Sequence, residues 1–299
     1  MDAITILIQL VLSGILVGSI YSLTAMGFVI TYRNANVFNM AYGQFVLIGA
    51  FIAWTFIGSP QEPRLPLPIA LVLTFISIVF SGLLIERLLF RRMIGRPIYA
   101  TFIVTLGILV LMRGIVMLIW GPGTHIYNST IPHGPIHIGN LVLSWEYVWS
   151  FILATIIASA LGLVFQRTKL GLAMRAIYDN QVAARCLGVN AKRNSQITWV
   201  LCILIATVGG ILIGTVNGIN VTLGETVMVV LAVVLIGGLD SLAGCIFGGL
   251  ILAVGTNLVS YYLGPIMPGI ESNFSTVMIL LVVLIRPNGL LGTRPIERV

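Results

Sequence analysis

Seven stretches of this chain are too long and too apolar to belong to a water-soluble fold: residues 4–31, 38–57, 67–87, 97–119, 146–166, 196–216 and 268–285. A membrane-spanning helix needs about 20 mostly apolar residues. In lipid the backbone can satisfy its own hydrogen bonds only as a helix or a closed barrel. Charged residues make up only 8% of the chain, whereas soluble domains carry about a quarter. An eighth apolar stretch, 225–263, exceeds one span and is interrupted by "GGLDSLAG" at 237–244, so it is either two passes or a re-entrant pair. The expected fold class is all-α, a polytopic transmembrane helical bundle of about 8–9 spans forming a single domain over 1–299. The opening "MDAITILIQLVLSGILVGSI" lacks the basic region and the clear cleavage site of a signal peptide, and reads as a retained first span.

Charge placement orients the bundle. Arg87, Arg91, Arg92 and Arg96 fall in one connection, and Arg167, Lys169, Arg175, Arg185, Lys192 and Arg193 in another. Arg286, Arg294 and Arg298 fall in the tail, so these three segments hold 13 of the 16 basic residues. The positive-inside rule puts all three in the cytoplasm. Residues 121–145, without Lys or Arg and rich in Gly and Pro, belong outside. The N-terminus is then external and the C-terminus cytoplasmic. Arg64, with Glu62 two residues away, is the one basic residue that argues otherwise. The net charge of +7 reflects this orientation, since no basic run with interleaved aromatics suggests nucleic acid.

Polar side chains at membrane depth face the protein interior or a cavity. Asn34, Asn36, Asn39, Tyr42 and Gln44 crowd the start of the second span. Asn34 or Asn36 could cap that helix, while Asn39, Tyr42 and Gln44 are candidates for a translocation path. Glu225 and Asp240 are the acidic candidates for the same path. Asp240 sits among Gly237, Gly238, Gly244, Gly248 and Gly249. It has two readings, a cap for a helix starting at Ser241 or a part in conduction. Gly244 and Gly248 are spaced for tight helix packing.

Catalysis finds little support. His125, His133 and His137 lack helical ligand spacing and nearby carboxylates or thiols, so no metal or cofactor is expected. Cys186, Cys202 and Cys245 are scattered and read as packing residues. Neither lysine, Lys169 or Lys192, stands in a Gly-Lys-Ser/Thr phosphate loop, which excludes a P-loop ATPase.

The most polar stretch is "GLAMRAIYDNQVAARCLGVNAKRNSQ", 171–196, within the connection 167–195. At helical spacing Ala173, Ala176, Ile177, Asn180, Ala183, Ala184 and Leu187 form a narrow face of mostly small residues. Arg175, Asp179 and Arg185 fall mostly on the other side. Asp179 or Asn180 could cap a second short helix, and Gly188 suits its end. A membrane-surface helix would carry larger apolar residues, so a docking element for a cytosolic partner fits best.

"VAARCLGVNAKRNSQI", 182–197, resembles the Ala-Ala-x-x-x-Gly loop by which ABC importer permeases couple to their ATPases. The longer stretch is similar to the loop of branched-chain amino-acid-type importer permeases. "GSIYSLTAMGF", "VFNMAYGQFVLIGAF", "LIGGLDSLAGCIFGGLI" and "RPNGLLG" resemble further signatures of that family, in the expected order. Val182 stands where the general loop motif often has Glu, and Gln44 where many relatives carry Glu. The resemblance implies a channel-forming subunit in a bacterial inner membrane, working by alternating access. It would pair with a second permease, related or identical, with two cytosolic ATPases and with a periplasmic binding protein. Substrates in the family include branched-chain amino acids, urea, short amides and aromatic acids. The residues implied to couple to the ATPase are Arg175, Asp179, Asn180, Ala183, Ala184, Leu187 and Gly188. An ion-coupled carrier or passive channel would share the spans without needing a docking loop, and would usually hold several intramembrane charges.

Overall fold

The computed structural model describes residues 3–35, 37–93, 95–128, 134–139, 141–179, 181–286 and 288–292. Its helices are α1 (Ala3–Ala35), α2 (Tyr42–Ile57), α3 (Leu67–Ile85), α4 (Arg91–Met93), α5 (Ile98–Trp120), α6 (Trp145–Arg167), α7 (Lys169–Asp179), α8 (Gln181–Cys186), α9 (Ala191–Asn217), α10 (Thr226–Gly237), α11 (Leu242–Leu263) and α12 (Ile270–Ile285). A π-helical turn, Glu86–Phe90, joins α3 to α4, and a 3-10 turn, Val221–Glu225, leads into α10. Among the described residues, six helices are long and apolar enough to cross a membrane, and Tyr42–Ile57, Val221–Gly237 and Asn273–Ile285 are shorter apolar helices. The fold is a helical membrane bundle.

The differences from the expected spans have local causes. The second helix starts at Tyr42 rather than residue 38, with Ala41 at its N-cap and no side-chain cap. Asn34, in the last turn of α1, is therefore not its cap, and Asn36 lies outside the described residues. α9 starts five residues earlier than its apolar run, because Asn190 caps it by accepting from the Arg193 N–H at 3.1 Å. The connection carrying Arg87, Arg91 and Arg92 is helical. The loop after α5 contains a hairpin, β1 (Pro135–Ile138) paired antiparallel with β2 (Leu141–Ser144). Its β-branched residues favour a pleat, and Gly139 supplies a turn conformation at φ +61°.

The chain divides into two compact units. One comprises Ile30–Thr130 and Ala160–Val227. Its centre is α9, whose best apolar window is 67% buried against 17–33% for the other long helices. α9 packs on α2 and α3. Without a hydrophobic drive between helices in lipid, contact depends on close fit through small residues. A Cβ at Gly49 of α2 would lie 2.6 Å from the Thr207 Cα, so these two backbones touch.

A loop clamp completes this unit. His125 and Ile219 exchange backbone hydrogen bonds at 2.8 Å, the Trp54 Nε1 donates to the Ile126 carbonyl at 3.2 Å, and the buried Tyr127 hydroxyl donates to the Ala50 carbonyl at 3.0 Å. Burial pushes the Tyr127 pKa above its ordinary value of 10.0. The folded state then holds this proton more tightly than the unfolded one. The contribution is fully present below pH 10.0 and is lost as pH rises beyond it. Tyr127→Phe is expected to cost about 1 kcal/mol at neutral pH and to remove part of the alkaline loss, as thermal midpoints between pH 8 and 11 would reveal.

The other unit comprises Met1–Val29, Ile131–Ser159 and Met228–Val299. Here α1 and α11 are tied by the Asn257 Nδ2, which donates to the Leu10 carbonyl and the Ser13 hydroxyl at 3.2 and 3.0 Å. The expected interruption is present: α10 ends at Gly237 and α11 starts at Leu242. Ser241, not Asp240, caps α11, accepting from the Gly244 N–H at 2.9 Å. A Cβ at Gly244 would overlap the Gly237 carbonyl, so the two helices meet backbone to backbone. The tail returns to this break, with the Leu290 and Leu291 N–H groups donating to the Ile236 and Gly237 carbonyls at 2.8 and 2.9 Å. These are carbonyls the ending helix leaves unmatched. The break therefore lies at the same level as the end of α12. Val221–Gly237 at about 1.5 Å per residue is near 25 Å long. That is most of a hydrocarbon core of about 30 Å.

Candidate coupling and translocation sites

The polar stretch forms two short helices. α7 buries Gly171, Met174 and Ile177, spaced three apart, and packs on α8 and α9. The same helix leaves Leu172 61% exposed. α8 ends in a tight turn in which Val189 N–H donates to the Ala184 carbonyl at 3.0 Å and Gly188 N–H to the Arg185 carbonyl at 3.0 Å. Gly188 adopts φ +88°, a left-handed conformation that glycine takes without strain.

The small-residue face expected along 173–187 does not stay together. Ile177 and Ala184 turn inward, 5% and 2% exposed, and belong to the unit's own packing. Ala183, Leu187 and Gly188 are exposed, Leu187 at 84%. Arg175 is half-buried and Asp179 exposed, while Asn180 lies outside the described residues. Ile177 and Ala184 are seven residues apart and share one inward side, whereas Leu187 lies beyond the end of α8, in the turn that closes at Gly188. What remains outward is an apolar knob, Leu187, flanked by Ala183, Arg185 and Gly188.

At the start of α2, Asn39, Tyr42 and Gln44 are 3%, 0% and 2% exposed. The Asn39 Oδ1 accepts from the Ala41 N–H at 3.1 Å, while among the described residues its Nδ2 has no hydrogen-bond partner, and neither has the Gln44 Oε1. A Cβ at Gly224 would come within 2.5 Å of the Gln44 Nε2. The 3-10 turn before α10 thus lies on the first turn of α2, and brings Glu225 into the neighbourhood. Glu225 is exposed and pairs with Arg113 at 3.8 Å. Both partners are wet, so the pair contributes at most about 1 kcal/mol. Asp240 belongs to the other unit, buried at the break, where a Cβ on Gly292 would lie 3.3 Å from its Oδ1.

Two features escaped the sequence reading. His125 is not an isolated loop residue: its ring lies 4.2 Å from Trp54 and 5.6 Å from Phe51. His133 lies outside the described residues. Glu86, hidden among the arginines of the connection, is fully buried. Its signal was available, since it continues the every-fourth-residue series Ala70, Thr74, Ile78, Gly82.

A family model described as "Branched-chain amino acid transport system / permease component" matches residues 10–285. The chain is 27% identical over 98% of its length to the high-affinity branched-chain amino acid transport system permease protein BraD of Pseudomonas aeruginosa, covering 98% of that protein. It is 26% identical to the corresponding LivH of Escherichia coli K12, over 98% of this chain and 97% of that one. A probable LivH of Methanocaldococcus jannaschii is likewise 26% identical, over 95% and 92% of the two chains. These relatives are transport subunits, not enzymes. With a family match running from α1 to α12, this chain belongs to the permease components of branched-chain amino acid transport systems.

Proposed function

We propose that this permease conducts branched-chain amino acids across the bacterial inner membrane as one of a pair of permease subunits, related or identical. Permeases of ABC importers work with ATPase and binding-protein subunits. Here two cytosolic ATPases would engage α7–α8, and a periplasmic binding protein would deliver the solute. The observation that carries the reading is the full-length kinship with BraD and LivH, together with a pair of short helices that presents an exposed leucine.

The N-terminus is placed outside and the C-terminus in the cytoplasm. The basic segments α3–α4, α7–α9 and the tail then share one side. The hydrogen bonds between tail and helix break support that arrangement by putting 237–241 level with the end of α12. The path would run beside Asn39, Tyr42 and Gln44, with Glu225 and Asp240 as its acidic members. Unmatched buried amide groups cost about 1–3 kcal/mol each, and a passing solute can meet them. ATP-driven closure of the ATPases would move α7–α8 and, through α9, the helices packed on it.

The test is uptake of labelled leucine, isoleucine and valine into proteoliposomes holding the permease pair, its ATPases and its binding protein. Uptake that needs ATP and is competed by the other branched-chain residues, but not by urea or acetamide, supports the proposal. ATP-independent uptake would return the carrier reading.

A further inference from the structure

Every fourth residue of α3 is buried, through Ala70, Thr74, Ile78 and Gly82, and the series continues across the π-helical turn as Glu86 and Phe90. A spacing of four marks the face that meets its neighbours; α3 packs on α2 and α9, and at Gly82 and Phe90 the neighbour is α9. A Cβ at Gly82 would lie 3.2 Å from the Ile203 Cδ1. Phe90 stacks on Trp199 with centroids 3.5 Å and planes 15° apart. A carboxylate therefore occupies one position of an otherwise uncharged seam, whose hydroxyl, Thr74, donates to the Ala70 carbonyl of its own helix. Glu86 is 0% exposed, its Oε1 meets the Arg91 Nε at 3.4 Å, and its Oε2 has no partner among the described residues.

The pairing depends on the local backbone. Arg91 follows Glu86 by five residues, and its N–H donates to the Glu86 carbonyl, the repeat of a π-helix rather than an α-helix. Such turns are rare and recur at functional sites. An apolar side chain would fill the seam without burying a charge, and buried ion pairs are often replaceable by apolar groups at no cost in stability. Packing alone does not call for Glu86. Its place does: Trp199, on which the turn closes, lies two turns into α9, which begins directly after the α8 turn.

We infer that Glu86, through Arg91, is a positioning residue for coupling. The pair holds the π turn so that Phe90 stays stacked on Trp199, and displacement of α7–α8 passes through α9 into α3. This inference rests on the reading of α7–α8 as the ATPase contact.

The experiment uses the assembled importer in lipid. The quantity read is ATPase rate with solute-loaded binding protein divided by the rate without it, per assembled complex. Glu86→Gln and Arg91→Ala are expected to lower this ratio about tenfold. Glu86→Asp and Arg91→Lys, which keep the charges, restore much of it, and the Glu86→Gln/Arg91→Ala double variant is no worse than either single change. A merely structural role would reduce yield and thermal midpoint while leaving the ratio unchanged, and that result overturns the inference. Should Glu86→Gln fail to assemble, Arg91→Ala decides by the same ratio, since its side chain is 32% exposed. Leu187→Asp separates the two readings. If that variant keeps its ATPases, the docking reading fails, whereas a wild-type ratio in assembled Glu86→Gln removes the positioning role alone.

Discussion

Gly43→Ala is expected to destabilise the permease by about 3 kcal/mol, with a lower thermal midpoint and a lower folded yield. A single added methyl group at Gly43 would overlap the Gly224 carbonyl oxygen and come within 3.0 Å of the Val227 Cβ. The obstacle is backbone, so no rotamer change relieves it, and α2 must move off the turn that precedes α10. Overpacking a tight core costs about 1–3 kcal/mol, and a backbone clash belongs at the upper end. That is a large part of a total stability of about 5–15 kcal/mol. The same change at Gly107 or Gly114 of α5, where a Cβ meets nothing within 4 Å, should be neutral or favourable by up to about 1 kcal/mol. Monodisperse yield and thermal midpoint of the three variants in detergent would decide. A Gly43→Ala protein as stable as its α5 counterparts would mean that the α2–turn contact is not closed.

The second large effect concerns function rather than folding. Leu187→Asp should leave the permease folded, because a side chain 84% exposed contributes little to its own unit. A buried apolar anchor in a partner's cleft commonly accounts for 2 kcal/mol or more of binding, about thirtyfold in affinity. ATPase association and stimulated hydrolysis are therefore expected to fall by at least about tenfold. Ala184→Glu behaves differently. At 2% exposure it drives a charge into the packing of α8 and disrupts the segment before any partner arrives. Comparing midpoints and ATPase co-purification of the two variants separates a docking defect from a folding defect. Retention of ATPase by Leu187→Asp would remove the knob from the contact.

The expected and observed elements agree where the physics is one-dimensional. Hydropathy placed the long helices because lipid leaves no alternative to internal hydrogen bonding, and the glycine-rich "GGLDSLAG" marked the break between α10 and α11. Side-chain identity was less informative at the ends of elements. Ser241 caps α11 in place of Asp240, because the residue directly before the helix is the one whose side chain reaches back to the first turn. Asn39 directs its carbonyl oxygen to the turn before α2, a role its neighbours Asn34 and Asn36 were equally suited to by type.

The candidate sites divide in the same way. That 171–196 would form short helices followed from its helical spacing. Which residues face outward did not follow. Ala184 is buried and Leu187, in the turn after α8, is exposed, and which side of a short helix meets its neighbours is a three-dimensional quantity. Glu86 shows the limit most directly. In the sequence it is one acid among four arginines, the composition of a wet loop. In the structure a π turn and the Trp199 ring take that acid out of water.

By itself, then, the amino-acid sequence determined the solvent of this protein, the place of its break and its kinship, since each depends on local composition or on ordered motifs. The tertiary structure alone decided which polar groups are buried, which glycines bear backbone contact and which side of α8 is free. Those depend on the rotation and depth at which helices meet, and no single segment carries that information.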